Sequence, residues 1–282
     1  MKKKRFLILS LLVMVLILIV GCTPSTPSVQ YGTIDVNSTP TGAKVYLDGV
    51  YTGQATPIVL TNVGVGNHTI KLDLFHWKIW EDNALTVVAN QTTYLNPPLV
   101  SSPEVTKTLQ PGPEGIDSVV ESINPTANYG TLTYCVVGNT DTNIVRTYIQ
   151  FDLSTVPANV VLVNADLRLY NYGGPGTDDF TIGLHNVISA WDESTVTWSL
   201  QPTCSVDAET TSDITLGDIT WESWEIDTLV QAWLDGSITN YGVVLKDTDE
   251  ASAGFGGAYF WASDYTVDIS KRPELVIDYY IP

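Results

Sequence analysis

The feature that most limits the fold of this chain is an alternation of apolar and polar residues, broken every few positions by turn residues. From Ile34 to Leu74 apolar side chains recur at every second position within short runs, which is the period of a strand with one buried face. Asp48-Gly49, Thr52-Gly53 and similar clusters of Gly, Pro and Asn separate the runs. This pattern predicts a small antiparallel β-sandwich.

The C-terminal part of the chain is also rich in predicted strands. A single short helix is predicted there, from an N-cap at Asp227 to Gly236. The five clearest strands are Tyr148–Leu153, Leu162–Tyr170, Phe180–Val187, Gly242–Leu245 and Leu275–Tyr279. The sequence therefore predicts an all-β protein.

Two stretches rich in Pro, Ser and Thr divide the chain. Residues 23–30 (TPSTPSVQ) are predicted to be a spacer, and residues 100–114, with three prolines, a linker. The predicted domains are residues 31–99 and 115–282, both of ordinary domain size.

The first 22 residues have the parts of a secretory signal, with Lys2–Arg5 as the basic region and Phe6–Val20 as the apolar region. The apolar run of about 15 residues is short for a membrane span, which needs roughly 20. Ile19–Cys22 resembles the lipobox of prokaryotic lipoproteins, which implies a signal peptide over residues 1–22, acylation of Cys22 and removal of the residues before it. An uncleaved anchor, or an ordinary signal with an accidental Cys, are the alternatives. In each case the rest of the chain is expected to be exported and to face outside the cytoplasm, and the lipoprotein interpretation anchors it at the cell surface.

The chain is strongly acidic, with 31 Asp and Glu against 13 Lys and Arg, and four of the basic residues precede Cys22. Binding to phosphates depends on Lys and Arg, so no nucleic-acid partner is expected, and the membrane is expected to be reached through the lipid alone. An aromatic content of 10% is too high for a disordered acidic chain. We therefore expect a folded, acidic domain pair outside the cell.

Residues 31–99 carry several motifs that resemble the PEGA domain, named after a Pro-Glu-Gly-Ala turn. The matching segments are Gly32–Val36 (GTIDV), Pro40–Ala43 (PTGA), Val45–Gly49 (VYLDG), Thr56-Pro57 and Gly66–His68 (GNH). The resemblance implies a small β-sandwich on a surface protein and no catalytic residues.

Residues 115–282 resemble the DNRLRE domain, which is related to disaggregatase-associated repeats and to carbohydrate-binding module family 96. The motifs are Asn128–Gly130 (NYG), Val137-Gly138, Arg146, Tyr148–Leu153 (YIQFDL), Ala165–Tyr170 (ADLRLY), Trp191–Trp198 (WDESTVTW), Gln201-Pro202, Trp233, Gly236, Asn240–Gly242 (NYG) and Arg272–Leu275 (RPEL). The implied fold is a jelly-roll β-sandwich. Trp191, Trp198 and Trp233 belong to the family pattern and are expected in the core.

No catalytic residues are predicted. His68, His76 and His185 have no second His or Cys nearby in the sequence and are interpreted as structural. Glu193 could suggest a glycosidase acid, but its place in the family motif favours packing and turn-capping. The Gly-rich stretches Gly173–Gly176 and Gly254–Gly257 lack a following Lys-Ser/Thr and are interpreted as loops.

Two acidic segments are candidate calcium sites, because Ca²⁺ favours several loop oxygens, although neither matches an EF-hand. Their residues are Asp178, Asp179, Asp247, Asp249 and Glu250. Solvated acidic turns are the alternative, so the expected cofactor is none or Ca²⁺. Cys135 and Cys204 could form a disulfide in an oxidising compartment, or remain two small buried thiols.

The predicted function is non-enzymatic binding of a glycan or extracellular matrix through the C-terminal domain. Sugar rings stack on exposed aromatic faces, and the candidates near predicted loops or strand ends are Tyr172, Trp221, Trp224, Tyr259 and Trp261. Residues 115–282 hold only five basic residues, so a neutral glycan is expected, or a polyanion bridged by Ca²⁺. The alternative is a structural envelope or sheath component that contacts protein.

Overall fold

The computed structural model describes residues 29–140, 142–251 and 256–282. The predicted signal, the lipid site at Cys22 and most of the spacer lie outside these residues. The chain divides into two compact units. The first comprises the described residues up to Asp73 with Trp80–Leu99, and the second comprises Leu74–Ile79 with Val100–Pro282.

The first unit is built from short strands joined by tight turns. The strands are β1 (Tyr31–Val36), β2 (Lys44–Leu47), β3 (Val50–Ala55), β4 (Ile58–Gly64), β5 (Gly66–Asp73), β6 (Trp80–Val87) and β7 (Thr92–Leu95). Asp48 and Gly49, both with positive φ, form the turn between β2 and β3.

Two sheets, β4-β1-β7 and β3-β2-β5-β6, make up the first unit. Ile34 and Val36 of one sheet and Val45, Ile70 and Leu72 of the other are fully buried, which gives a two-layer sandwich. The expectation of antiparallel pairing is wrong for one pair, because β1 and β7 are parallel. The chain leaves β6 in one sheet and adds β7 to the free edge of β1 in the other.

The second unit contains the remaining strands and one α-helix, α1 (Asp227–Leu234), with a 3-10 turn at Ile269–Lys271. The strands are β8 (Val105–Leu109), β9 (Ile116–Glu121), β10 (Tyr134–Thr140), β11 (Asn143–Gln150), β12 (Val161–Asn171), β13 (Phe180–Asn186), β14 (Thr210–Ile214), β15 (Thr220–Glu225), β16 (Val243–Asp247), β17 (Gly256–Trp261) and β18 (Glu274–Tyr280).

Every strand pair described in the second unit is antiparallel. β14, β13, β16, β11 and β9 form one layer, and β15, β12, β18 and β8 form the other, while β10 and β17 connect them. Buried residues of both layers share one core, for example Ile182 and Leu245 with Leu167 and Ile277. The all-β prediction is confirmed.

The predicted linker over residues 100–114 is wrong for its centre. Val105–Leu109 forms β8, an edge strand that pairs with Leu275–Tyr279 of β18. Three residues of this segment, Val105, Thr106 and Thr108, are β-branched and favour strand, and the prolines lie only on either side of it.

The predicted helix is present but its N-cap is displaced by one residue. Ile226 occupies the N-cap position, and Asp227 is the first helical residue, where its charge still favours the helix N-terminus. The helix ends at Leu234, just before Gly236 with φ of 74°. No helix among the described residues is both long enough and apolar enough to cross a membrane.

Candidate functional site

The outer face of the first layer is covered by the chain's own side chains. Val120, Tyr148 and Val244 point outward from β9, β11 and β16 and pack with Trp191 and Trp198. The indole N–H of Trp191 donates to the carbonyl of Tyr241 at 2.8 Å. The tryptophan motif therefore covers this face of the sheet.

Of the three tryptophans expected in the core, Trp233 is buried in the main core. Trp191 and Trp198 are only half-buried, since they cover a smaller cluster from the outside. Their role is to pack the motif against the sheet.

The outer face of β10, β17 and the end of β12 carries a group of aromatic side chains. Residues alternate along β12 and β17, so that Leu169 and Phe260 are buried while Tyr172 and Trp261 face outward. Tyr134 of β10 pairs with Trp261, and Tyr259 lies two residues before it on β17. With Tyr265 from the following loop they form a surface that we call the aromatic row: Tyr134, Tyr172, Tyr259, Trp261 and Tyr265.

The rings of the aromatic row stack on one another. Tyr172 and Trp261 lie 3.9 Å apart between centroids at an interplanar angle of 14°, and Trp261 and Tyr265 lie 3.7 Å apart at 8°. Tyr172 is also stacked beside Tyr259 at 5.8 Å, and Tyr134 meets Tyr259 edge-on at 5.9 Å. Two parallel neighbours this close must lie on opposite faces of the Trp261 ring, so both of its faces are covered.

This stacking changes what the row offers to a ligand. Trp261 cannot present a free face to a sugar, and the accessible parts are ring edges and phenol hydroxyls. None of the four tyrosine hydroxyls of the row forms a hydrogen bond with another described residue. Burial and then the neighbouring tyrosines raise the pKa of Tyr172 to about 12. Its hydroxyl is therefore a proton donor over the whole physiological range.

A cleft of about 230 Å³ opens beside the row, and Tyr134 and Tyr259 belong to both. Leu132 and Val136 line it with apolar surface, and Glu121 lines it with a carboxylate. We call this space the adjoining cleft.

Glycines keep one wall of the adjoining cleft free of side chains. Gly257 lines the cleft, and its carbonyl oxygen would lie 1.8 Å from a Cβ on Gly174. The backbone N–H of Gly257 donates to the carbonyl of Pro175 at 3.0 Å, which holds the two segments together. Gly173–Gly176 is a loop, as predicted, whereas the prediction is wrong for Gly256 and Gly257, which begin β17. Their lack of side chains brings two backbones into contact at the site.

Glu121 is held in place by three side chains. Asn124 donates to its Oε1 at 2.6 Å, Asn143 donates to its Oε2 at 3.0 Å, and the hydroxyl of Tyr129 donates to Oε1. Burial by itself would raise the pKa of Glu121, but these hydrogen bonds outweigh it and hold the pKa below its usual value. The adjoining cleft therefore contains a fixed negative charge at neutral pH.

Among the five predicted platform residues, Trp224 is wrong. It is completely buried in the core, and its indole N–H donates to the carbonyl of Ile182 at 3.2 Å. Trp221 does face outward, but its ring lies under Arg168 at 5.0 Å and against the edge of Tyr170 at 5.5 Å. It stands outside the aromatic row.

The structure brings Tyr172, Tyr259 and Trp261 together, as their assignment to one surface requires. Sequence reasoning missed Tyr134 and Tyr265, which complete the row, and Glu121 and Tyr129 in the adjoining cleft. Tyr134 could have been found from the alternation with Cys135 and Val137, which are both fully buried.

The candidate calcium residues are mostly engaged within the chain. Asp179 accepts from the backbone of Leu216 and Asp247 from the backbone of Asp249, each at 2.9 Å. Glu250 forms an ion pair with Arg146 at 2.6 Å, and Asp178 accepts a hydrogen bond from Thr177 at 3.0 Å. In the described residues no group of three or more His, Cys, Asp or Glu is arranged to hold a metal ion. Calcium binding stays a prediction.

The two cysteines are not bonded to each other in the structure. Cys135 is fully buried in the main core, while Cys204 is half-buried and packs against the smaller cluster. The two side chains belong to different clusters, so the alternative of two separate thiols describes them and the disulfide does not.

Glu193, the residue considered for hydrolysis, has a structural partner. Its Oε1 accepts the backbone N–H of Asp117 at 2.9 Å, and its own carbonyl accepts the side chain of Asn128 at 2.7 Å. Burial raises the pKa of Glu193. These bonds tie the tryptophan motif to β9, in line with the predicted packing role.

Comparison with protein families identifies the second unit. The model of carbohydrate-binding module family 96 matches residues 110–279. The chain belongs to carbohydrate-binding module family 96. The PEGA domain model matches residues 31–103, so the predicted order of the two domains is confirmed. Both are non-catalytic domain types.

Comparisons with individual proteins add little. No curated protein matches the chain. Among solved structures it is similar to the Bacillus anthracis TIE protein, with 9% identity and a TM-score of 0.19, over 83% of this chain and 48% of that chain. This chain therefore spans about half the length of that protein, and a likeness at this level has no bearing on the fold described above.

Proposed function

We propose that this member of carbohydrate-binding module family 96 binds a neutral glycan along the aromatic row and the adjoining cleft of its second unit. The observation that carries the proposal is the row itself: four phenol hydroxyls without a described hydrogen-bond partner, held by mutual stacking on the open face of a sheet. Such a surface supplies hydrogen bonds to sugar hydroxyls and ring edges for their apolar faces.

The charges of the second unit support a neutral ligand. Of the five basic residues in 115–282, three already pair with carboxylates: Arg146 with Glu250, Arg168 with Glu274 and Lys271 with Asp268. A polyuronate would meet a negative field with few free cations to offset it. A polyanion is therefore expected to bind only through bridging Ca²⁺, and alginate binding that persists undiminished in EDTA would contradict this.

The test compares two tryptophans of the same sheet face. We expect Trp261→Ala to weaken the binding of a neutral hexasaccharide by tenfold or more, because the centre of the row is lost. Trp221→Ala, outside the row, should leave the affinity unchanged. The probes are hexamers of glucose, mannose and xylose, titrated calorimetrically against the chain from residue 23 onward. Failure of every probe to bind, or equal loss in both variants, would refute the proposal.

We further propose that the chain is exported and anchored by lipid on Cys22, so that it attaches a cell to glycan or matrix. The lipobox resemblance and the short apolar run support this. A single acyl chain gives only marginal attachment, so stable tethering is expected to need several chains. A Cys22→Ser variant should leave the membrane fraction, and a variant that sediments with membranes and keeps its N-terminus would show that residues 6–20 are a plain anchor.

A further inference from the structure

The adjoining cleft differs in chemistry from the aromatic row that it extends. Tyr134 and Tyr259 line both, so a glycan lying along the row meets the cleft at that end. The row offers phenol hydroxyls, whereas the cleft is lined by Glu121 and by apolar side chains such as Leu132 and Val136. Its volume of about 230 Å³ lies just below the range of roughly 300–1,000 Å³ usual for drug-sized ligands, which suits one sugar ring and not several.

The Glu121 carboxylate has acceptor capacity left on one oxygen. A carboxylate oxygen accepts about two hydrogen bonds. Oε1 already accepts from Asn124 and Tyr129, while Oε2 accepts from Asn143 among the described residues. A ligand hydroxyl can therefore donate to Oε2. The protein's own donors hold the pKa of this carboxyl down, so the oxygen is a charged acceptor at neutral pH.

We propose that the adjoining cleft is a specificity subsite that takes one neutral sugar ring through a hydroxyl donated to Glu121, and that the same charge rejects a ring carrying a carboxylate or sulfate. This inference rests on the proposed function, because it deepens the specificity of the same surface. An acidic ring would bring a second negative charge next to Glu121, and like charges at such short range repel.

The first test is Glu121→Gln, with Glu225→Gln as the matched control. Both variants remove one negative charge, but Glu225 is exposed on β15 and does not line the cleft. The probes are neutral glucose, mannose and xylose hexamers and the corresponding hexamers of mannuronate and galacturonate, in EDTA. We expect Glu121→Gln to reduce the preference for neutral over acidic hexamers by about tenfold, the value of one hydrogen bond to a charged acceptor. Glu225→Gln should leave that preference unchanged.

If loss of the Glu121 hydrogen bonds disturbs folding, a second variant tests whether the adjoining cleft binds a sugar ring. Val136→Phe leaves Glu121 intact and places a ring in the cleft, and circular dichroism and thermal unfolding check its fold. We expect it to weaken neutral hexamer binding about tenfold while the remaining binding still depends on Tyr172. If Trp261→Ala abolishes binding but both cleft variants behave as wild type, this inference is overturned and the proposed function stands. If the wild type binds no hexamer, both are overturned.

Discussion

Trp221 and Trp224 lie three residues apart on β15 and on opposite faces of the sheet. Trp224 is fully buried beside Phe260, with ring centroids 6.2 Å apart, whereas Trp221 is half-buried on the outer face. Successive residues of a strand alternate in direction, so an odd spacing separates the two indoles by the whole thickness of the sheet. Substitution should therefore cost much more stability at Trp224 than at Trp221.

We expect Trp224→Ala to reduce the free energy of unfolding by about 3–5 kcal/mol, because it leaves a large cavity and removes the indole hydrogen bond to the Ile182 carbonyl. Trp221→Ala should cost less than about 1 kcal/mol, since its ring is partly solvated. Urea unfolding of the two variants measures both values. Similar losses would mean that β15 is not oriented as described.

The Arg146 guanidinium makes contacts that an ammonium group cannot reproduce. Its Nε and Nη2 donate to the two carboxylate oxygens of Glu250 at 2.6 Å, and its Nη1 donates to Gln201 at 2.8 Å. The group also lies over the Trp198 ring at 4.7 Å. We expect Arg146→Lys to cost about 2 kcal/mol of stability, because the charge stays but the planar fork is lost.

Arg168→Lys is the matched control for that substitution. Arg168 makes one hydrogen bond to Glu274 at 2.7 Å, and its side chain is more exposed than that of Arg146. The expected cost is below about 1 kcal/mol. Thermal unfolding of the two variants at equal salt gives the comparison, and equal losses would contradict it.

The His68–Asp48 pair predicts a pH dependence in the first unit. The imidazole nitrogens lie 2.7 Å from Asp48 Oδ2 and 2.8 Å from the carbonyl of Gly64. The hydrogen bond to Asp48 raises the pKa of His68 above 6.5, while the backbone of Thr69 and then His68 lower the pKa of Asp48 below 3.8. The contribution of His68 to the free energy of unfolding is complete below pH 6.5 and is lost as the pH rises through the raised pKa. The aspartate contribution is present above pH 3.8 and is lost as the pH falls through the lowered pKa.

The difference in stability between wild type and His68→Gln should therefore be largest between about pH 4 and pH 6.5. It should stay below about 1 kcal/mol, because Asp48 is half exposed and solvent screens the pair. His185 gives a pH dependence of the opposite sign. Burial lowers its pKa, so its contribution to stability is lost as the pH falls. Unfolding of the full chain over this pH range measures both, and a flat difference for His68→Gln would contradict the prediction.

Calcium binding at Asp247 and Asp249 can be tested by thermal unfolding. Burial raises the pKa of Asp247, and the charges of Asp249 and Glu250 raise it further, while a backbone hydrogen bond opposes them. A bound cation would offset this repulsion, so we expect calcium at about millimolar concentration to raise the unfolding temperature. Asp247→Asn should abolish the rise. An unchanged unfolding temperature in calcium and in EDTA would refute the site.

Alternation in the sequence was enough to predict strands, but it could not assign every residue to a face. On β15 the inward positions are Glu222 and Trp224, and the outward positions include Trp221, so the apolar pattern was ambiguous. Pairing with β12 decides the orientation, and that contact is distant in sequence. β8 was missed for the same reason, because it is held by pairing with the distant strand β18. An edge strand of this kind needs little apolar content, so the sequence pattern does not mark it.

The candidate site was predictable only in part for a related reason. Tyr172, Tyr259 and Trp261 were found because aromatic residues near strand ends are conspicuous. Their mutual stacking was not predictable, because it depends on β12 and β17 meeting at Asn171 and Phe260. Glu121 had no signal in the sequence, since the chain has 31 acidic residues and only its partners distinguish this one.

The strand β8 also determines how a mechanical load passes into the sheet of the second unit. Beyond Val100–Ser102, which is hydrogen-bonded to His76 and Lys78 of the same unit, tension along the chain acts at Val105, on an edge strand whose partner β18 is held on its other side by β12. Detachment of β8 would release the length of its few residues as extended chain, while the β12–β18 and β12–β17 pairs do not involve β8. Because the aromatic row lies on β10, β17, the end of β12 and the loop after β17, the unit can lose this edge strand while the strands that carry the row stay paired.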